Sequence, residues 1–107
     1  MSSRRQTQVA ETLAHLAADY FARESNRESL ITITRADVSP DLKNIIIFFS
    51  VLPEDKEQSA LHFARRSRTD FRDFVKKHAS MKFLPTIDFQ LDYGEKNRQR
   101  IDDLTRS

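Results

Sequence analysis

Leu30-Ile31-Thr32-Ile33-Thr34-Arg35-Ala36-Asp37-Val38-Ser39-Pro40-Asp41-Leu42-Lys43-Asn44-Ile45-Ile46-Ile47-Phe48-Phe49-Ser50-Val51-Leu52 is the stretch that decides how this chain folds. Its first part, Leu30 to Val38, is β-branched and alternating, and reads as a strand. Ser39-Pro40-Asp41-Leu42 supplies turn chemistry, because proline presets φ and aspartate can bond the local backbone. Asn44 to Leu52 is the most apolar run in the chain. Its apolar residues fall on both faces, as in a strand at the middle of a sheet. The two runs predict an antiparallel hairpin.

Upstream, Val9, Leu13, Leu16, Ala17, Tyr20 and Phe21 recur at helical spacing, which predicts a helix from Gln6 to Glu24. Ser25 and Asn26 mark its end. Residues 1–5 are expected to be a flexible arm carrying Arg4 and Arg5. Downstream, Pro53 stops the strand, and Glu54, Asp55 and Glu57 crowd a first helical turn, where acids complement the dipole. Ala60, Leu61, Phe63 and Ala64 give that helix an apolar side, and Phe71, Phe74, Val75, His78 and Ala79 form another stripe. Between them the phase is ambiguous: two helices meet at a bend, or one long helix kinks.

Phe83 to Asp92 alternates as a last strand. Pro85 lacks a ladder donor and belongs to an edge strand or its first residues. Pro85, Ile87, Phe89 and Leu91 are expected to face in, and Thr86, Asp88, Gln90 and Asp92 out. Residues 93–107 read as a charged tail or short helix, with Ile101 and Leu104 as its apolar pair. The expected order is α-β-β-α-α-β in a main domain at residues 6–92: an α+β fold with a three-stranded mixed sheet and helices packed on one face. The helical crossover between the second and last strands should be right-handed, making them parallel if adjacent.

With 107 residues, one domain is expected. Folding at that size buries roughly 60–70% of the unfolded surface, enough for a self-sufficient core. There is no cysteine for a disulfide framework, no apolar run of membrane-spanning length and no secretory signal, so a cytoplasmic location is expected. The single glycine, Gly94, excludes Gly-rich phosphate loops and a Gly-x-x-Gly clamp. His15, His62 and His78 lack ligand-like spacing, Asp102 and Asp103 point to different helix faces, and no serine or threonine sits in a nucleophile motif. Neither a metal site nor catalysis is expected.

Net charge is only +2 although 32% of residues are charged, so distribution matters more than sum. Arg65, Arg66, Arg68, Arg72, Lys76, Lys77 and Lys82 concentrate the positive charge. Arg68, Arg72 and Lys76 follow one another at about 40° around a helix, beside the apolar stripe. A solvated face, with Asp70 and Asp73 as partners, accounts for this as well as a nucleic-acid surface does. The phenylalanines read as core, and no exposed aromatic pair suited to base stacking is evident.

The chain resembles the ribosome-binding factor A family. The resemblance rests on Arg5 with Val9-Ala10, Thr32-Ile33-Thr34, Val38-Ser39-Pro40-Asp41-Leu42-Lys43, Ser50-Val51-Leu52, Arg72, and Pro85-Thr86-Ile87-Asp88-Phe89 followed by Asp92. Ile101 and Leu104 resemble the family's C-terminal apolar pair. The Ser-Pro-Asp-Leu-Lys hairpin leading into a strand that ends Ser-Val-Leu is the most specific part. The resemblance implies a type II KH-like fold whose nucleic-acid loop is an interhelical kink. Here Ser67-Arg68-Thr69 stands at that kink in place of the family's Ala-x-Gly. It further implies binding to 16S rRNA in the immature 30S small ribosomal subunit, assistance to maturation of its 5′ end and decoding region, and release before translation. The rRNA contacts implied are Arg65, Arg66, Arg68, Arg72, Lys76, Lys77 and Lys82, assisted by Arg4 and Arg5. No cofactor, small-molecule substrate or membrane is implied, and a monomer is expected. The competing expectation is a protein-interaction or general RNA-binding KH-like module.

Overall fold

Ser3 and Gln6 open the first helix by bonding each other. The Ser3 amide donates to Gln6 Oε1 at 2.9 Å, and the Gln6 amide donates to Ser3 Oγ at 3.1 Å. This capping box satisfies two amides that have no partner inside the helix. In the computed structural model, which describes residues 3–24 and 29–93, helix α1 therefore spans Arg4–Glu24. Arg4 and Arg5 lie in its first turn rather than on an arm. The helix end expected at Ser25 and Asn26 falls outside the described residues, as does the tail from residue 94 onward.

Strands β1 (Leu30–Val38), β2 (Asn44–Leu52) and β3 (Thr86–Leu91) form one sheet in the order β1-β2-β3. The central β2 pairs antiparallel with β1 and parallel with β3. Helices α2 (Glu57–Arg66) and α3 (Arg68–His78) make the crossover between β2 and β3, after a short 3-10 turn at Glu54–Lys56. β3 begins at Thr86, just after Pro85, which has no amide for the ladder, so the last strand is shorter than the alternation of Phe83 to Asp92 suggested. The expected inward set, Pro85, Ile87, Phe89 and Leu91, is buried.

The β1–β2 ladder slips by one residue between Ile33 and Arg35. Ile31 and Ile33 face the core before the slip, and Ala36 and Val38 face it after. A regular strand could not do both, because side chains alternate with period two. The bulge at Thr34 absorbs the extra residue and sends both Thr34 and Arg35 to the outer face. There the Arg35 guanidinium lies 3.9 Å above the Phe48 ring and pairs with Asp37 at 2.7 Å. Thr34 Oγ1 donates to Asp92 Oδ2 at 2.6 Å, tying β1 to the end of β3 across the middle strand.

The core lies between the sheet's other face and the helices. Phe89 is its centre: its ring meets Phe21 at 5.3 Å, Phe71 at 5.7 Å and Phe49 at 6.5 Å, all edge to face. Tyr20 extends the cluster to Phe71 and Phe74 at 5.4 and 5.5 Å. Aromatic pairs of this geometry contribute beyond their buried area.

The β1–β2 turn places Leu42 at φ 61°, a left-handed conformation unfavourable for a side chain with a Cβ. Asp41 compensates. Its Oδ1 accepts from Ser39 Oγ at 2.6 Å and from the Lys43 amide at 3.0 Å, while the Asn44 amide donates to Ser39 Oγ at 3.0 Å. The Ser39 hydroxyl first, and then the Lys43 amide, hold the Asp41 carboxyl below its ordinary value of 3.8. A depressed carboxylate stabilises the fold above its unfolded pKa and loses that contribution as pH falls. Asp41→Asn should therefore lower Tm at neutral pH, and the gap to the parent chain should close as pH is taken below 3.8 in melts followed by circular dichroism.

Candidate nucleic-acid interface

Only Ser67 separates α2 from α3. It sits at φ −88°, ψ 3°, outside helical geometry. Its amide donates to Phe63 O at 3.0 Å and its hydroxyl donates to the same carbonyl at 2.8 Å. Such back-bonding by serine is a recognised way to bend a helix. The Phe71 amide then donates to Ser67 O at 2.8 Å and starts α3. The break thus narrows from the expected Ser67-Arg68-Thr69 to Ser67, with Arg68 and Thr69 already in α3.

Asp70, in the first turn of α3, accepts from Tyr20 Oη at 2.6 Å. This bond fastens the junction to α1. Burial, and after it the bond to Asp70, push the Tyr20 phenol up to about 12.

The junction aims three arginines at the free edge of β3. Arg68 Nε donates to Arg65 O at 3.1 Å, capping the end of α2. Arg68 Nη1 lies 3.3 Å and Arg65 Nε 3.7 Å from Asp88 Oδ1. Arg72 Nη1 donates to Pro85 O at 3.2 Å. An open cleft of about 220 Å³ runs between helix and strand, lined by Arg68, Thr69, Arg72, Thr86 and Ile87.

The remaining candidates stand elsewhere. Arg66 and Lys76 are exposed. Lys77 borders a different hollow, shared with Tyr20, Arg23, Asp73 and His78. Lys82 precedes β3 and lies 5.8 Å from the Phe83 ring. Arg4 and Arg5 sit at the start of α1, where Gln6 Nε2 donates to Val38 O of the opposite edge strand at 3.1 Å. The basic residues are therefore one cluster of three with outliers, not one continuous stripe.

One residue of the site escaped sequence reasoning. The acid facing Arg65 and Arg68 is Asp88, whereas Asp70, one of the expected partners, is bonded to Tyr20. Alternation marked Asp88 as outward, but nothing in the spacing indicated which helix would meet it. Phe83, read with the other phenylalanines as core, is 77% exposed beside Lys82, away from this cluster. His78 stacks on Phe74 at 4.1 Å with Nδ1 2.9 Å from Phe74 O, and His15 lies 3.8 Å from Asp19. Among the described residues no group of three or more His, Cys, Asp or Glu side chains could hold a metal ion, and no helix is long and apolar enough to cross a membrane.

The element order, the mixed sheet with β2 at its centre and the bent helix pair beside β3 define a type II KH-like domain. The fold is shared with the crystal structure of ribosome-binding factor A from Thermus thermophilus, at TM-score 0.70 and 17% identity over 80% of this chain and 94% of that one. A solution structure from Thermotoga maritima, described as a putative ribosome binding factor A, matches at TM-score 0.61 and 20% identity over 83% of this chain and 84% of that one. A third match, at TM-score 0.66 and 20% identity, covers 88% of this chain and 98% of a Thermus thermophilus ribosome binding factor A model fitted into a cryo-EM map of a 30S complex. Residues 5–105 match the family model for ribosome-binding factor A. Proteins of that name from Chelativorans sp. (strain BNC1) and Trichlorobacter lovleyi are each 32% identical, over 98% and 99% of this chain and 83% and 89% of theirs. The chain belongs to the ribosome-binding factor A family.

Tyr20→Phe tests the fastening of the junction. Loss of the bond to Asp70 should cost about 1 kcal/mol at neutral pH. A phenol with a raised folded pKa stabilises fully below its unfolded value and loses that contribution as pH rises. The stability gap between parent and variant should therefore close between pH 10 and about 12 in chemical denaturation curves.

Proposed function

We propose that this chain is an assembly factor of the small ribosomal subunit. In this reading it binds 16S rRNA in the immature 30S particle, assists maturation of the 5′ end and decoding region, and leaves before translation. The family's name and the relative fitted into a 30S complex support the choice of partner. The observation that carries the mechanism is the alignment of Arg65, Arg68 and Arg72 along the free edge of β3 at the α2–α3 bend. In this reading the bend takes the place of the nucleic-acid loop of a KH domain.

No glycine is present at the bend, so RNA backbone cannot approach the peptide there as closely as it does a Gly-rich loop. Long guanidinium side chains make the contact instead, and their forked donors suit phosphate oxygens. Contacts to phosphate position the domain without reading sequence. Its shape then favours one arrangement of the surrounding rRNA by binding it better than the alternatives. The reading involves no catalysis and no cofactor, and the protein acts as a cytoplasmic monomer.

One observation favours a second reading, a protein-interaction module. Leu30 and Leu52 face each other across the β1–β2 ladder at the sheet's end and are 62% and 61% exposed. Salt-insensitive binding of a protein partner, with no affinity for rRNA, would replace the first reading with this one.

Reversal of charge at Arg65 and Arg68 tests the rRNA reading. Arg65→Glu/Arg68→Glu should weaken co-sedimentation with precursor 30S particles by roughly 10-fold or more and flatten the salt dependence by about one unit per lost phosphate contact. Circular dichroism should report an unchanged fold. Undiminished binding by the folded variant overturns the proposal.

A further inference from the structure

One oxygen collects the donors of this cluster. Asp88 Oδ1 accepts from the Phe89 amide at 2.8 Å and lies 3.3 Å from Arg68 Nη1 and 3.7 Å from Arg65 Nε. The Phe89 amide is available because of strand geometry. Thr86 and Asp92 direct their amides into the ladder with β2, toward Lys43 O and Phe49 O. Phe89, at the alternate register, directs its amide to the free edge. Two guanidinium groups and one backbone amide converging on one anionic oxygen are what a phosphodiester recruits.

The fold makes little use of this contact. The side chains of Arg65, Arg68 and Asp88 are 42%, 49% and 41% exposed. Ion pairs that open to water contribute little stability. A phosphodiester carries one negative charge, as the carboxylate does, so either can pair with the two guanidinium groups. Among the described residues, Asp88 is the only acid paired with either arginine.

We propose that Arg65, Arg68 and the Phe89 amide form a subsite for a single backbone phosphate, and that Asp88 fills it in the free protein. RNA must displace this carboxylate in order to bind. Asp88 thereby keeps the arginines in position and sets the affinity low enough for release. The inference rests on the rRNA reading above for the identity of the ligand.

The test compares Asp88→Asn with Asp19→Asn, which removes the same charge from the remote, exposed α1 surface. Binding to purified 30S subunits is measured at fixed salt. Asp88→Asn should tighten binding about 10-fold and Asp19→Asn by less than about twofold, since a remote charge is screened. The gain from Asp88→Asn should vanish in an Arg65→Gln/Arg68→Gln background, as expected for groups that act together. A gain that persists there, or one matched by Asp19→Asn, is an effect of net charge and overturns the subsite. A second arm titrates inorganic phosphate against the Arg65 and Arg68 Nε–Hε and Phe89 amide resonances. Saturable shifts in Asp88→Asn that are absent from the parent chain support the subsite even if neither protein binds 30S, in which case only the rRNA reading falls. No shift in Asp88→Asn overturns the subsite.

Discussion

The burial of Phe89 is the constraint on which the rest of the molecule depends. Its ring touches α1 through Phe21, α3 through Phe71 and the central strand through Phe49. Deleting a buried ring of this size typically removes about 3–5 kcal/mol, a large part of the roughly 5–15 kcal/mol that keeps a domain folded. The same burial determines the surface. With Phe89 turned inward, strand alternation obliges Asp88 to face outward, and the Phe89 amide to face the free edge. Core packing and the proposed phosphate site are therefore two faces of one register. A slip of one residue would lose both.

The bend between α2 and α3 illustrates how one local solution replaces another. A glycine bends a helix by removing the Cβ. Ser67 does it by diverting the Phe63 carbonyl to its own hydroxyl, in addition to its amide. That is a weaker determinant alone, and the structure reinforces it from outside: Tyr20 reaches across from α1 to Asp70 just beyond the break. The Arg68 side chain then uses Arg65 O, a carbonyl at the end of α2, as its anchor. The position of the arginines thus follows from the bend through bonded contacts.

Much of the architecture was legible in the sequence, and the exceptions have physical causes. The doubly apolar Ile45–Phe49 run announced the central strand, and the helical crossover announced its parallel pairing with β3. The Ser3-x-x-Gln6 capping box was written in the sequence too, but short polar termini usually have nothing to dock on, and that generality hid it. The bulge left a trace in the change of phase from Ile31 and Ile33 to Ala36 and Val38, which a simple alternating reading passes over. Asp88 left no trace of its role. Its meeting with Arg65 and Arg68 depends on where α2 and α3 cross the sheet, which is a tertiary fact. Helical spacing did place Lys77 apart from the stripe of Arg68, Arg72 and Lys76, and it borders a different hollow.

A net charge of +2 means that long-range attraction of a polyanion is weak, so contact geometry must supply what steering does not. Three arginines at one strand edge are a small positive cluster. In a cluster that small a single carboxylate changes the local balance far more than it would on a highly basic surface. Under the proposed function, a factor that leaves its site gains from such a balance. In the proposed exchange, Asp88 lies within reach to receive the arginines when a phosphate departs. In that proposal binding and release are a competition of two anions for the same guanidinium groups, with little rearrangement of the fold.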